Sequence, residues 1–180
     1  MILTNGALVG NDATGSPEYD RVHGGKQSLP IHYDNGTAGQ SEATRTFAAA
    51  QDWTRAGVTQ LVVWFHGKAG STGQMYLKIN GAKIPHVNPI GNLGLEGWQA
   101  WSVDLASVGT NLQIVSSLTI GIAGNGATGT LYIDDIMLTQ SVPGAIEEWW
   151  ISASSDDAEE HPLDGGVMET LTNTDLEFGY

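Results

Sequence analysis

Apolar and polar residues alternate with a period of two through most of residues 60–80, QLVVWFHGKAGSTGQMYLKIN. In the first half Leu61, Val63 and Phe65 fall on one side of an extended chain, and Gln60, Val62, Trp64 and His66 fall on the other. In the second half Met75, Leu77 and Ile79 oppose Gln74, Tyr76, Lys78 and Asn80. The pattern predicts two half-buried strands. Residues 67–73 between them are rich in Gly, Ser and Thr, so the simplest expectation is an antiparallel pair of neighbours with one face on a core. The opposite face would then present Trp64, His66, Tyr76, Lys78 and Asn80 together.

The same alternation recurs along the chain. Residues 26–33 place Leu29, Ile31 and Tyr33 against Ser28, Pro30 and His32, and Pro30, which cannot donate to a ladder, points to an edge strand or an unpaired amide. Asp34-Asn35-Gly36 turns the chain, and residues 42–48 form another strand. Residues 82–97 read as a long irregular passage ending at Trp98, of a length that in compact domains is functional or lies over a sheet face. In 99–105, Trp101, Val103 and Leu105 take the core side, and 118–122 and 130–138 complete the unit. About eight or nine short strands without a convincing helix predict an all-β protein, an antiparallel β-sandwich of jelly-roll type. It occupies residues 1–140, with an acidic extension over 141–180.

Composition narrows the partners. Of 180 residues, 24 are Gly, which fits many tight turns. Twenty acidic against seven basic residues give a net charge of -13, which repels a polyphosphate and argues against nucleic acid. The absence of Cys removes disulfides, thiolate zinc sites and a Cys nucleophile. With an acidic excess, calcium is the obvious stabilising ion, because hard cations take oxygen ligands. No run of 18 apolar residues argues for membrane insertion, and MILTNGALVG lacks the basic start and apolar run of a signal peptide.

Aromatic rings beside amides and charges suit a sugar: a ring plane covers the C–H face of a pyranose, and polar neighbours bond its hydroxyls. Trp64, Tyr76 and Trp98 are the candidate platform, with His66, His32, Lys78 and Asn80 as polar partners. The competing assignments are packing for the rings and solvation for the histidines. His86 has no second His at metal spacing. The doublets Asp134-Asp135, Glu147-Glu148, Asp156-Asp157 and Glu159-Glu160 raise glycoside hydrolysis, which needs two carboxyls flanking a bond. Adjacent strand residues diverge to opposite faces, so no doublet serves as such a pair by itself. There is no nucleophile elbow, zinc-protease helix, phosphate loop or dinucleotide fingerprint.

The stretches VHGGKQSLPIHYDN, SEATRTFAAAQDW, VTQLVVWFHG, WQAWSVDLASVG and LTIGIAGNGATGTLYIDDIML carry a family look. Over residues 17–139 the chain resembles jelly-roll accessory domains of large secreted bacterial proteins, and is similar in outline to carbohydrate-binding modules of the galactose-binding-like type. The resemblance implies a non-catalytic module that binds polysaccharide or glycan, secreted or at the cell surface. It also implies a structural calcium held by an acidic residue of the first strand, a carbonyl near GGKQSL and an acidic residue of the last strand. The matching positions are Glu18 or Asp20, the carbonyl of Lys26, and Asp134 or Asp135. Residues 154–180 resemble the opening of another acidic β-domain, which implies a strand laid on the first domain or exchanged with another chain. A small jelly-roll hydrolase or lyase, and a structural or assembly module, are the alternatives.

Overall fold

Strands alternate between two layers almost from one to the next. The computed structural model describes residues 2–5, 7–9, 18–87 and 92–140, within the unit Met1–Ser141. Its ten strands are β1 (Ile2–Asn5), β2 (Leu8–Val9), β3 (Leu29–Asp34), β4 (Gln40–Gln51), β5 (Gln60–His66), β6 (Gln74–Ile79), β7 (Ala82–Pro85), β8 (Trp98–Asp104), β9 (Val115–Ala123) and β10 (Thr128–Thr139). They form one sheet in the order β1-β4-β9-β6-β7 and a second in the order β2-β3-β10-β5-β8. All the pairings are antiparallel. The expected β-sandwich is the fold found. The expectations for 141–180, including strand exchange and the doublets at 147, 156 and 159, lie outside the described residues.

The core is made of the alternating apolar sets. Leu61, Val63 and Phe65 of β5 meet Met75, Leu77 and Ile79 of β6, together with Ile31, Trp101, Val103, Ile120, Ile122, Leu131 and Ile133, all buried. Each such side chain removed from water contributes about 1.5–3 kcal/mol. His86 is also buried, edge-on to Phe65 and Trp101 at 5.2 and 4.7 Å, and that burial lowers its pKa.

The pairing expected of β5 and β6 is corrected here: they belong to different sheets. A period of two shows that one side of each strand is buried, and two facing sheets satisfy that as well as one sheet does. Residues 67–73 cross between the layers, a gap of about 10 Å that a connection of this length spans easily. The irregular passage is corrected too. Asn80 (φ 51°) and Gly81 (φ 88°) make a two-residue turn, and Ile79 pairs with Ala82 across it, so β7 is the return strand of a hairpin. Pro30 lies inside the second sheet, yet β2 reaches only Ile31 and His32, so no ladder bond is asked of its nitrogen on that side.

Candidate functional site

Since Leu61, Val63 and Phe65 point inward, Trp64 and His66 must point out of the second sheet, and strand register supplies their neighbours. Across β3, β10, β5 and β8 one row runs Pro30, Tyr132, His66, Trp98. The next row brings Asp134, Trp64 and Ala100 together. His66 meets Trp98 and Tyr132 edge-on at 5.3 and 5.8 Å, and its Nδ1 bonds the Gly67 carbonyl. Trp64, His66 and Trp98 are half-buried. His32 lies on the same face, two strands from His66, with Nδ1 3.0 Å from Thr130 Oγ1.

Over this face lies a loop that sequence reasoning did not assign to the site. Glu18 and Ser28 exchange backbone hydrogen bonds of 3.1 and 2.9 Å, closing residues 18–28 into a loop. Its apex carries His23, whose imidazole stacks on Trp64 with centroids 3.8 Å apart and planes at 18°. The same ring meets Trp98 at 5.6 Å and 61°. Below the loop, the Arg21 guanidinium lies 5.3 Å from the ring centre of buried Tyr132.

The last strand holds the loop down. Asp134 Oδ2 accepts the amides of His23 and Gly24 at 2.9 and 3.2 Å. Asp135 Oδ2 lies 2.7 Å from His23 Nδ1. Adjacent strand residues ought to diverge, but the register of β10 on β5 shifts between Asp134 and Met137, and Asp135 sits at φ 38°. This bulge turns both carboxylates toward one residue. A Cβ at Gly24 would come 2.4 Å from Asp135 Oδ2, so a larger residue there would push that carboxylate aside.

The remaining expected platform residues sit on the opposite sheet, which separates Tyr76, Lys78 and Asn80 from Trp64 and His66. Tyr76 lies flat against Gly121, where a Cβ would fall 2.3 Å from Tyr76 Cζ, and the ring is only 1% exposed. Its hydroxyl donates to Glu42 Oε2 at 2.7 Å, and so does Lys78 Nζ at 2.7 Å. Lys83 Nζ covers the ring at 3.8 Å. Burial alone would raise the Glu42 pKa; hydrogen bonds from Lys78 and Tyr76 and the charges of Lys78 and Lys83 hold it below its ordinary value. Burial and the Glu42 carboxylate raise that of Tyr76. Asn80 is a structural staple: Oδ1 accepts the Ser116 amide at 2.8 Å, and Nδ2 donates to the Ile114 carbonyl at 3.1 Å.

The carboxylates expected for calcium bond amides and an imidazole in this structure. Calcium takes six to eight oxygens about one point, and no three carboxylate or imidazole groups gather for it among the described residues. Asp134 Oδ2 faces two amide hydrogens. Glu18 Oε1 accepts the amides of Tyr19 and Asp20 at 3.0 and 2.9 Å. Asp20 and Lys26 are exposed on the loop. Beside Asp134 and Asp135 lies an open depression of about 490 Å³, bordered also by Gln27, Ser28 and Ile136.

The same two-sheet fold occurs among solved structures of agarases and carbohydrate-binding modules. An exo-β-agarase superposes with a TM-score of 0.54 at 12% identity, covering 79% of this chain and 24% of its own. The family 11 carbohydrate-binding module from Clostridium thermocellum, solved with a β-1,3-1,4-mixed-linked tetrasaccharide, gives a TM-score of 0.53 at 12% identity, covering 78% and 88%. The family 30 module of a Clostridium thermocellum cellulosomal cellulase gives 0.51 at 15%, covering 69% and 81%. The chain thus spans about a quarter of the agarase and most of each isolated module. These likenesses establish the fold. No protein-family profile matches the sequence, and no curated protein does.

Proposed function

We propose that the chain is a non-catalytic carbohydrate-binding module whose ligand lies on the outer face of the second sheet, at the cluster formed by Trp98, His66 and the loop over Trp64. The observation that carries this reading is the group of rings, edge-on and stacked, beside carboxylates and imidazoles of the kind able to bond sugar hydroxyls. The fold shared with modules of families 11 and 30 supports it. A polysaccharide ligand of this kind lies outside the cell, so the reading carries with it secretion or display at the surface. Among the described residues no helix is long and apolar enough to cross a membrane. Hydrolysis is no part of the reading: Asp134 and Asp135 serve His23 together, whereas hydrolysis needs carboxyls on either side of the bond.

A shallow, wet surface holds a sugar weakly, with a Kd of about 10 µM to 1 mM. Affinity electrophoresis in gels containing mixed-linked β-glucan, cellulose derivatives or agarose tests the assignment. Retardation by at least one of these, without release of reducing ends, is the expected result. Release of reducing ends would replace the module with an enzyme, and migration unchanged in every gel would remove the glycan.

A further inference from the structure

We propose that the ring that meets the sugar on this face is His23, with Trp64 as the support beneath it and Asp135 as the residue that positions it. The inference rests on the glycan-binding reading above and changes which side chain makes the contact. A stack at 3.8 Å and 18° leaves no space for a pyranose between the two rings, so Trp64 offers the ligand no open face on that side. The sugar must either displace His23 or use it.

The loop is built to stay. Its ends are closed by the Glu18 and Ser28 backbone pair, and Ser28 Oγ donates to the Arg21 carbonyl at 2.6 Å. Glu18 caps two amides from inside, and Asp134 binds two more from β10. Lifting His23 would break the hydrogen bond from its backbone N–H to Asp134, the contact of its ring with Asp135 and the stack at once, which is more than a weakly held sugar returns. Meanwhile 30% of the His23 side chain remains open to solvent. Its plane meets that of Trp98 at 61°, so the two rings make a corner, one ring as floor and the other as wall for a single pyranose. Nδ1 is engaged by Asp135, which leaves Nε2 as the nitrogen for a sugar hydroxyl.

Charge defines the class of ligand. Asp134 and Asp135 flank the corner, and Asp20 is exposed on the same loop. A uronate or sulfate ester placed there meets like charge at short range, so the fitting ligand is a neutral glycan. The bulge adds a constraint of its own: a non-glycine residue at φ 38° is a strained position that persists where its surroundings hold it, and here the side chain so placed grips the imidazole.

The test is an NMR and calorimetric titration of the whole chain with the mixed-linked β-1,3-1,4-glucan tetrasaccharide, a neutral agarose oligosaccharide and a polyuronate oligosaccharide. The expected result is binding to a neutral sugar, intermolecular contacts from its C–H protons to the His23 ring, and none from the Trp64 ring. His23→Ala weakens the binding at least tenfold with an unchanged circular dichroism spectrum. Asp135→Asn, which tolerates the left-handed backbone, keeps the melting midpoint but reduces the contacts from sugar to the His23 ring. Equal or tighter binding by His23→Ala, or sugar contacts to Trp64 in the wild type, would make the loop a cover and overturn the inference while the module reading stands. Preference for the polyuronate overturns the neutral class. Should the wild type bind none of the three, both the reading and the inference fall.

Discussion

The two outer faces of the sandwich are built from the same kinds of residue and end in opposite states. On the first sheet Tyr76, Lys78, Lys83 and Glu42 close on one another: the ring lies on Gly121, its hydroxyl and the Lys78 ammonium share one carboxylate oxygen, and a second ammonium covers it. On the second sheet Trp98 and His66 stand beside one another half-buried, and Trp64 lies under His23. Gly121 on the strand next to Tyr76 lets its ring lie down and be sealed. Trp64 instead has Asp134 and Ala100 beside it in register, and a loop supplies its cover. An outward aromatic on a strand is therefore a binding group only where its neighbours leave its face free, or pass its role to another ring.

Truncation breaks this comparison most sharply on the closed face. Tyr76→Ala should cost about 3–5 kcal/mol, as other buried aromatic truncations do, and leave glycan affinity unchanged in the folded fraction. Urea unfolding beside calorimetry measures both. Loss of affinity at unchanged stability would move the ligand to the first sheet. The opposite profile belongs to Trp98→Ala: at least tenfold weaker binding, about 1.4 kcal/mol, with the midpoint of unfolding little altered. A fall in stability without a fall in affinity would make Trp98 a packing residue.

Acid should separate the faces next. The Glu42 pKa is lowered on folding, so its contribution to stability is present above the unfolded value of about 4.3 and is lost as pH falls through the folded value. Thermal midpoints taken from pH 6 downward should decline more steeply below about pH 4.3 in the wild type than in Glu42→Gln. Parallel curves would mean that the Lys78 and Tyr76 contacts add nothing. The smallest expected effect concerns calcium. Asp134 and Glu18 each accept two amide hydrogen bonds, so the loop must rearrange to admit an ion; an upward shift of the melting transition on adding calcium supports the site, and a transition unmoved by calcium and by a chelator removes it.

Much of this architecture is legible in a single chain. Alternation in β5 and β6 identifies the buried sides of both strands and the outward direction of Trp64, His66 and Tyr76. It cannot report which strands share a sheet, because facing layers bury the same alternate positions. The hairpin into β7 was readable from Asn80-Gly81, a pair suited to the positive φ values of a two-residue turn. His23 was not readable. Its contacts to Asp134 and Asp135 span 111 and 112 residues, and the bulge that makes two neighbouring carboxylates converge leaves no mark in a period-two pattern. The spacing argument that separated that doublet holds for regular strands and fails at an irregular one.

The bond between His23 and the last strand also sets a sequence of events. As the chain leaves the ribosome, β5 and its tryptophan emerge long before Asp134 does, and pairings of such long range form late because their loops are costly to close. The corner of His23 and Trp98 is thus incomplete until β10 has paired. A nascent or nicked chain lacking the end of β10 would keep its tryptophans and still have no assembled surface to offer.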